Sequence, residues 1–224
     1  MDELLPGVEQ RFCVCHLYNN FRKRFPGKKL KEIIWKVAKS TYSQSWEKEM
    51  REMRDVNEEA FKHMMKTPHR FWSKSQFKTT SKCDSMLNNM SEDFNSVIIE
   101  AKSKPIVTML EEIRTYIMEM WAKNRMRFAN LTDDDILPNI MKRITRISEY
   151  TNMWIVRMSA KHIFEVMHLE NAGDKFSVNL QDQSCTCRKW QLTTLPCVLA
   201  ISSMKSINFK VESYIPDMYK KDYF

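Results

Sequence analysis

A mostly helical fold with a small C-terminal β-hairpin module, an α+β class, is what this sequence predicts. Three observations carry the prediction. Apolar residues recur at helical spacing through roughly the first 150 residues. From Ile163 onward the pattern changes to alternation of apolar and polar side chains. Three of the cysteines gather in that last module. The expected organisation is a helical segment over 1–150, a cysteine-bearing module over 151–215 and a tail over 216–224.

Residues 8–66 read as helical. Lys29 to Ser40 places Leu30, Ile33, Ile34 and Val37 on one face with lysines opposite. Ser43 to Lys66 continues with mixed charges until Thr67-Pro68, a helix end. Residues 67–90 show no period and read as loop. Ser91 is suited to cap a helix with Glu92 and Asp93 in its first turn. Pro105 suits the first position of the next helix, whose apolar stripe is Ile106, Leu110, Ile113, Ile117 and Trp121. Glu111 and Glu112 come early in it and Lys123, Arg125 and Arg127 late, as the helix dipole favours. Leu131 to Pro138 is a break, and Asn139 to Ser148 one more short helix. Two strands follow, around Ile163–His168 and Phe176–Leu180, with a hairpin turn at Asn171 to Asp174.

Composition narrows the function classes. The 224 residues carry 36 lysines and arginines against 28 acids, a net +8 that leans toward polyanionic partners. With only Gly7, Gly27 and Gly173, no glycine-rich phosphate loop or dinucleotide fingerprint can be written, so no nucleotide cofactor is expected. No apolar run approaches the roughly 18 residues of a membrane span, and no secretory signal opens the chain. The expectation is a soluble, intracellular protein whose 6 cysteines are thiols or metal ligands.

Cys185-Thr-Cys187 and Cys197 are the sharpest chemical signal. On a strand, residues two apart point the same way, so both thiolates of the pair can reach one ion. Leu195-Pro-Cys197-Val-Leu-Ala reads as a helix start, which favours a thiolate at Cys197. Three sulfurs make a zinc site short of one ligand.

The run Phe176-Ser-Val-Asn-Leu-Gln-Asp-Gln-Ser-Cys-Thr-Cys-Arg-Lys-Trp-Gln-Leu-Thr-Thr-Leu-Pro-Cys197 resembles the SWIM (PMZ-type) zinc finger of plant Mutator-like transposases. Upstream, Arg11 to Phe21, with Cys13 and His16, is similar to that family's C-x-x-H segment. Ser81 to Asn95 is similar to the segment bearing the third catalytic carboxylate, which falls on Glu92, and Lys104 to Arg114 to the helix after it. The resemblance covers nearly the whole chain in order. It implies zinc on Cys185, Cys187 and Cys197, a nuclear location, DNA as partner and a remnant of a ribonuclease H-like transposase.

Two departures qualify the implied function. The family's fourth ligand, a histidine two residues after Cys197, is replaced by Leu199. Water, or His162 or His168 from the predicted strand, would have to complete the tetrahedron; otherwise the three cysteines are reduced thiols of a decayed finger. The family's first two catalytic aspartates would precede Cys13, where only Asp2, Glu3 and Glu9 occur. The expectation is a truncated, non-catalytic chain in which Glu92 is a relic of the active site, its ordinary role being a charge in a first helical turn. Cys13 and His16 share a helix face, where a structural role is expected. The apolar stripes, lacking their sheet, should be partly exposed.

Basic residues mark the candidate nucleic-acid surface: Arg22, Lys23, Arg24, Lys28, Lys29 and Lys31, with Arg188 and Lys189 beside the cysteines. Lys62 to Lys82 is a second basic stretch, interleaved with Phe71, Trp72 and Phe77. The resulting expectation is a transposase-derived zinc-finger protein binding DNA. A protein-interaction module using the SWIM region is the alternative, and a fragment of an active transposase a third reading.

Overall fold

A computed structural model of the chain describes residues 9–87, 89–132, 134–170 and 173–221, the side chains of 89–91 excepted. Its helices are α1 (Val14–Arg24), α2 (Lys28–Lys39), α3 (Ser43–Val56), α4 (Glu58–Met65), α5 (Asn89–Val97), α6 (Ile106–Arg127), α7 (Pro138–Ser148), α8 (Lys189–Thr193) and α9 (Val198–Ser206). The strands β1 (Trp154–Ala160), β2 (Ile163–His168), β3 (Lys175–Asn179) and β4 (Ser184–Cys185) form one antiparallel sheet in sequential order. A mostly helical α+β architecture is therefore observed.

The chain divides into two compact units, one holding Met1–Leu87 with Arg143–Ile215, the other Asn88–Lys142 with Pro216–Phe224. This departs from the boundary expected at residue 150. The helices α1–α4 and the sheet belong to the same unit because side chains join them. Thr41 Oγ1 donates to the Cys187 carbonyl at 2.6 Å, and Tyr42 packs edge-on against Phe176 at 5.2 Å.

Within this first unit, α2 follows its pattern closely. Leu30, Ile33, Ile34, Val37 and Ala38 are buried, and burial of each larger side chain stabilises the fold by roughly 1.5–3 kcal/mol. The continuous helix expected over 43–66 is instead two, α3 and α4. Asn57 interrupts it, its side chain accepting from the Ala60 N–H at 2.9 Å as an N-cap, with Glu58 and Glu59 in the first turn. Residues 67–87 are loop with short 3₁₀ turns, whereas the last two residues of the loop expected over 67–90 already belong to α5, and Trp72 and Phe77 within the loop are wholly buried. Trp72 also donates its indole N–H to the Thr67 carbonyl. Neither ring is available to stack on a base.

Strand β1 was not legible. It pairs with β2 from Trp154↔His168 to Ala160↔Ile163, and His162 takes a left-handed φ of 64° in the turn between them. The inner face of β2 and β3 carries Phe164, Val166, Phe176 and Val178, covered by Leu199, Ala200 and Met204 of α9. Two residues of the expected hairpin turn at 171–174 lie outside the described residues.

In the second unit α5 begins at Asn89, so Ser91 falls inside the helix and not at its cap. Helix α6 begins one residue after Pro105, which occupies the N-cap position. The chain of the expected tail is paired: Leu137 N–H donates to the Tyr219 carbonyl at 2.9 Å, and Lys221 Nζ to that of Leu131 at 2.6 Å. No helix among the described residues is long and apolar enough to cross a membrane.

Candidate metal centre

Strand β4 is only two residues long, and Cys185 is its last. The chain then turns: Arg188 N–H donates to the Cys185 carbonyl at 2.8 Å, and Cys187 N–H approaches the Cys185 sulfur at 3.4 Å. The two thiols converge because of this turn, with Arg188 at φ 63°, and not through strand alternation. Gln191 braces the turn from α8, accepting from the Cys185 N–H at 3.3 Å and donating to its carbonyl at 3.0 Å. Cys197 arrives from the other side as the N-cap residue of α9. The ligand atoms of Cys185, Cys187 and Cys197 lie within 4.8 Å of one another, and all three residues are buried.

Their electrostatics describe one shared charge. Hydrogen bonds from Cys185 and Cys197, reinforced by the Lys189 backbone N–H, hold the Cys187 thiol well below its ordinary range. Cys185 is pushed up because its proton is engaged by Cys187 and Cys197 and because it is buried. Cys197 is lowered by Cys185, but Cys187 and burial outweigh that and push it up. These shifts favour the protonated thiol at Cys185 and Cys197 and the thiolate at Cys187. Removing both protons requires a cation, since three adjacent buried anions repel at short range in a low dielectric. Soft thiolates in this number fit zinc better than magnesium or calcium.

No fourth histidine, cysteine or carboxylate joins the three among the described residues. Leu199 is 2% exposed and packs in the same cluster as the cysteines, and its hydrocarbon side chain offers no donor. His168 stacks edge-on against Trp154 at 4.8 Å, its Nδ1 accepting from the Glu170 N–H. His162 packs in the β1–β2 turn, 6.2 Å from the Phe209 ring. Neither histidine is brought to the sulfurs, so neither completes the tetrahedron.

The basic candidates separate into engaged and open groups. Arg188 does not face solvent as expected of a phosphate contact. Its guanidinium donates to the carbonyls of Thr41 at 3.2 Å, of Phe77 at 2.7 Å and of Ser75. Burial lowers its pKa. Lys189 starts α8 and is half-buried. Lys29 is paired with Glu52 across α2 and α3. Arg22, Lys23 and Arg24 form the exposed last turn of α1, while Lys28 and Lys31 are exposed on α2. A shallow depression of about 440 Å³ is lined by Lys28, Lys31, Glu32, Trp35, Lys36 and Lys39. Sequence reasoning missed Trp35 there, although its spacing of four from Lys31 and Lys39 was available as a signal.

Cys13 is the N-cap residue of α1 and His16 lies in the first turn, their ligand atoms within 4.8 Å. Glu92 is exposed in the first turn of α5. Of the acids before Cys13, Asp2 and Glu3 lie outside the described residues. Glu9 is engaged locally, pairing with Arg11 and accepting from the Lys78 N–H at 2.7 Å. No protein-family model, curated protein or solved structure matches the chain.

Proposed function

We propose that this chain is a non-catalytic, transposase-derived nuclear protein in which Cys185, Cys187 and Cys197 hold zinc and the α1–α2 surface contacts nucleic acid. The convergence of the three buried sulfurs is the observation that carries the reading. Zinc there would cross-link the turn after β4 to the start of α9, a structural role that contributes directly to folding. Its fourth position would be taken by water, Leu199 offering no donor.

The ribonuclease H-like ancestry belongs to the same proposal. One carboxylate, Glu92, cannot build a two-metal phosphodiester site, so the chain is read as a binder and not as an enzyme. The open lysines Lys28, Lys31 and Lys39 around Trp35, with Arg22 to Arg24 nearby in sequence, suit a phosphate backbone without base preference.

The decisive experiment is bound-metal stoichiometry on the purified chain beside a Cys185→Ala, Cys187→Ala double variant. About one zinc per chain, lost in the variant, is expected. Zinc absent after reduced, zinc-supplemented refolding would end the metal reading and leave a motif of ancestry alone. For the nucleic-acid part, affinity should fall steeply with salt. Affinity indifferent to salt would favour an apolar protein contact instead.

A further inference from the structure

The lysines of α2 divide into two sets. Lys29 and Lys36 are neutralised from α3, both by Glu52 and Lys36 also by Glu49. Lys28, Lys31 and Lys39 are exposed, and none of them enters an ion pair among the described residues. At about 100° per residue, Lys28 lies roughly 20° from Trp35 around the helix axis, and Lys31 and Lys39 roughly 40° to either side of it. Along the axis, Lys31 and Lys39 stand about 6 Å before and after the tryptophan, one turn each way. The open charges of the helix are therefore gathered around one aromatic ring. Glu32 is the single acid among the residues lining that depression, against four lysines.

Trp35 is held on one side and open on the other. It packs against the buried cluster built from Phe21, Ile34 and Met53, which fixes the ring before any ligand arrives. Its remaining surface lines the depression. Lys39 Nζ lies 5.8 Å from the ring centroid, the outer limit of a cation–π contact, so the charge approaches the ring without capping it. A positioned indole between unpaired ammonium groups suits a nucleobase flanked by its own phosphates.

We propose that Trp35 is a stacking platform for one base of a single-stranded nucleic acid, with the neighbouring phosphates held by Lys28, Lys31 and Lys39. A duplex keeps the faces of its bases inside the stack and offers the indole only an edge or a backbone, whereas an unpaired base presents a whole face. The ring thus selects the unpaired strand, and the lysines bind it without regard to sequence. This inference rests on the nucleic-acid reading of the α1–α2 surface and goes beyond it by naming the form of strand and the residue that reads it.

Fluorescence anisotropy of the full chain at low salt tests it with labelled strands of about 12 nucleotides, within the usual single-strand site sizes. The probes are a thymidine strand, a uridine strand, an abasic strand of the same charge and a duplex of the same length. The better of the two base-bearing strands names the sugar and should bind about tenfold more tightly than the abasic strand, and more tightly than the duplex. Trp35→Leu, which keeps an apolar side chain on the cluster, should erase the advantage over the abasic strand, while Trp35→Phe should keep most of it. Unchanged affinity for the abasic strand verifies that each variant is folded. The triple variant Lys28→Ala, Lys31→Ala, Lys39→Ala should weaken all strands alike and flatten the single-strand salt dependence by about two in its logarithmic slope. Base-bearing and abasic strands bound equally, a duplex bound more tightly, or Trp35→Leu without effect would overturn the stacking platform and leave the phosphate contact standing. No salt-sensitive binding to any strand would overturn both.

Discussion

Replacing Arg188 by alanine should unfold the cysteine-bearing unit more easily and leave nucleic-acid affinity alone. The guanidinium reaches three backbone carbonyls, those of Thr41, Ser75 and Phe77, which come from the linker after α2 and from the loop after α4. It thereby ties the turn of the metal site to the helical part of the same unit. Each charge-assisted bond contributes about 1–1.5 kcal/mol net where water partly competes, so their loss costs roughly 3 kcal/mol. For a unit of this size that lowers Tm by about 6–12 °C. Thermal unfolding followed by tryptophan fluorescence reads this directly, because Trp35, Trp46, Trp72, Trp154 and Trp190 all belong to that unit. Arg188→Lys should recover about a third of the loss, since a single ammonium replaces a fork that bridges separate carbonyls. A Tm unchanged within about 2 °C, together with weakened nucleic-acid binding, would refute the reasoning and return Arg188 to a phosphate.

Zinc affinity should rise with pH. The Cys185 and Cys197 thiols are pushed up and must give up their protons to ligate zinc, while Cys187 is held well below the ordinary thiol range. Binding should therefore release about two protons, measurable by calorimetry in buffers of different ionisation enthalpy, with affinity falling about a hundredfold per pH unit on acidification. Release of three protons would place Cys187 with the other two. Leu199→His should tighten zinc by roughly a hundredfold by supplying a fourth donor, while costing the metal-free chain about 1–3 kcal/mol through a polar group in an apolar cluster. Competition against a zinc chelator measures the first effect and metal-free thermal unfolding the second. Unchanged zinc affinity would show that residue 199 does not face the ion.

Much of the helical architecture was legible because it is written in local periodicity. The face of α2 and the helix start after Cys197 follow from spacing and end signals alone. The break between α3 and α4 was equally local, an asparagine followed by two glutamates, but mixed charges on both sides masked it. Strand β1 was different. Only its partner β2 makes it a strand, since five of its seven residues are exposed and alternation is confined to Trp154 and Val156 at its start.

The sequence alone determined which residues can do chemistry: three cysteines at C-x-C and helix-start positions, leucine where a fourth donor would stand, and basic runs without acids between them. Tertiary structure decided which of these meet and which are already engaged. It brought the sulfurs together through a turn, packed Leu199 into the same apolar cluster, and kept His162 and His168 away. It also turned Arg188 inward and buried Trp72 and Phe77. The reason is physical. A residue's donor atoms and charge are its own, whereas its partners lie up to 147 positions away in the chain and are chosen by packing.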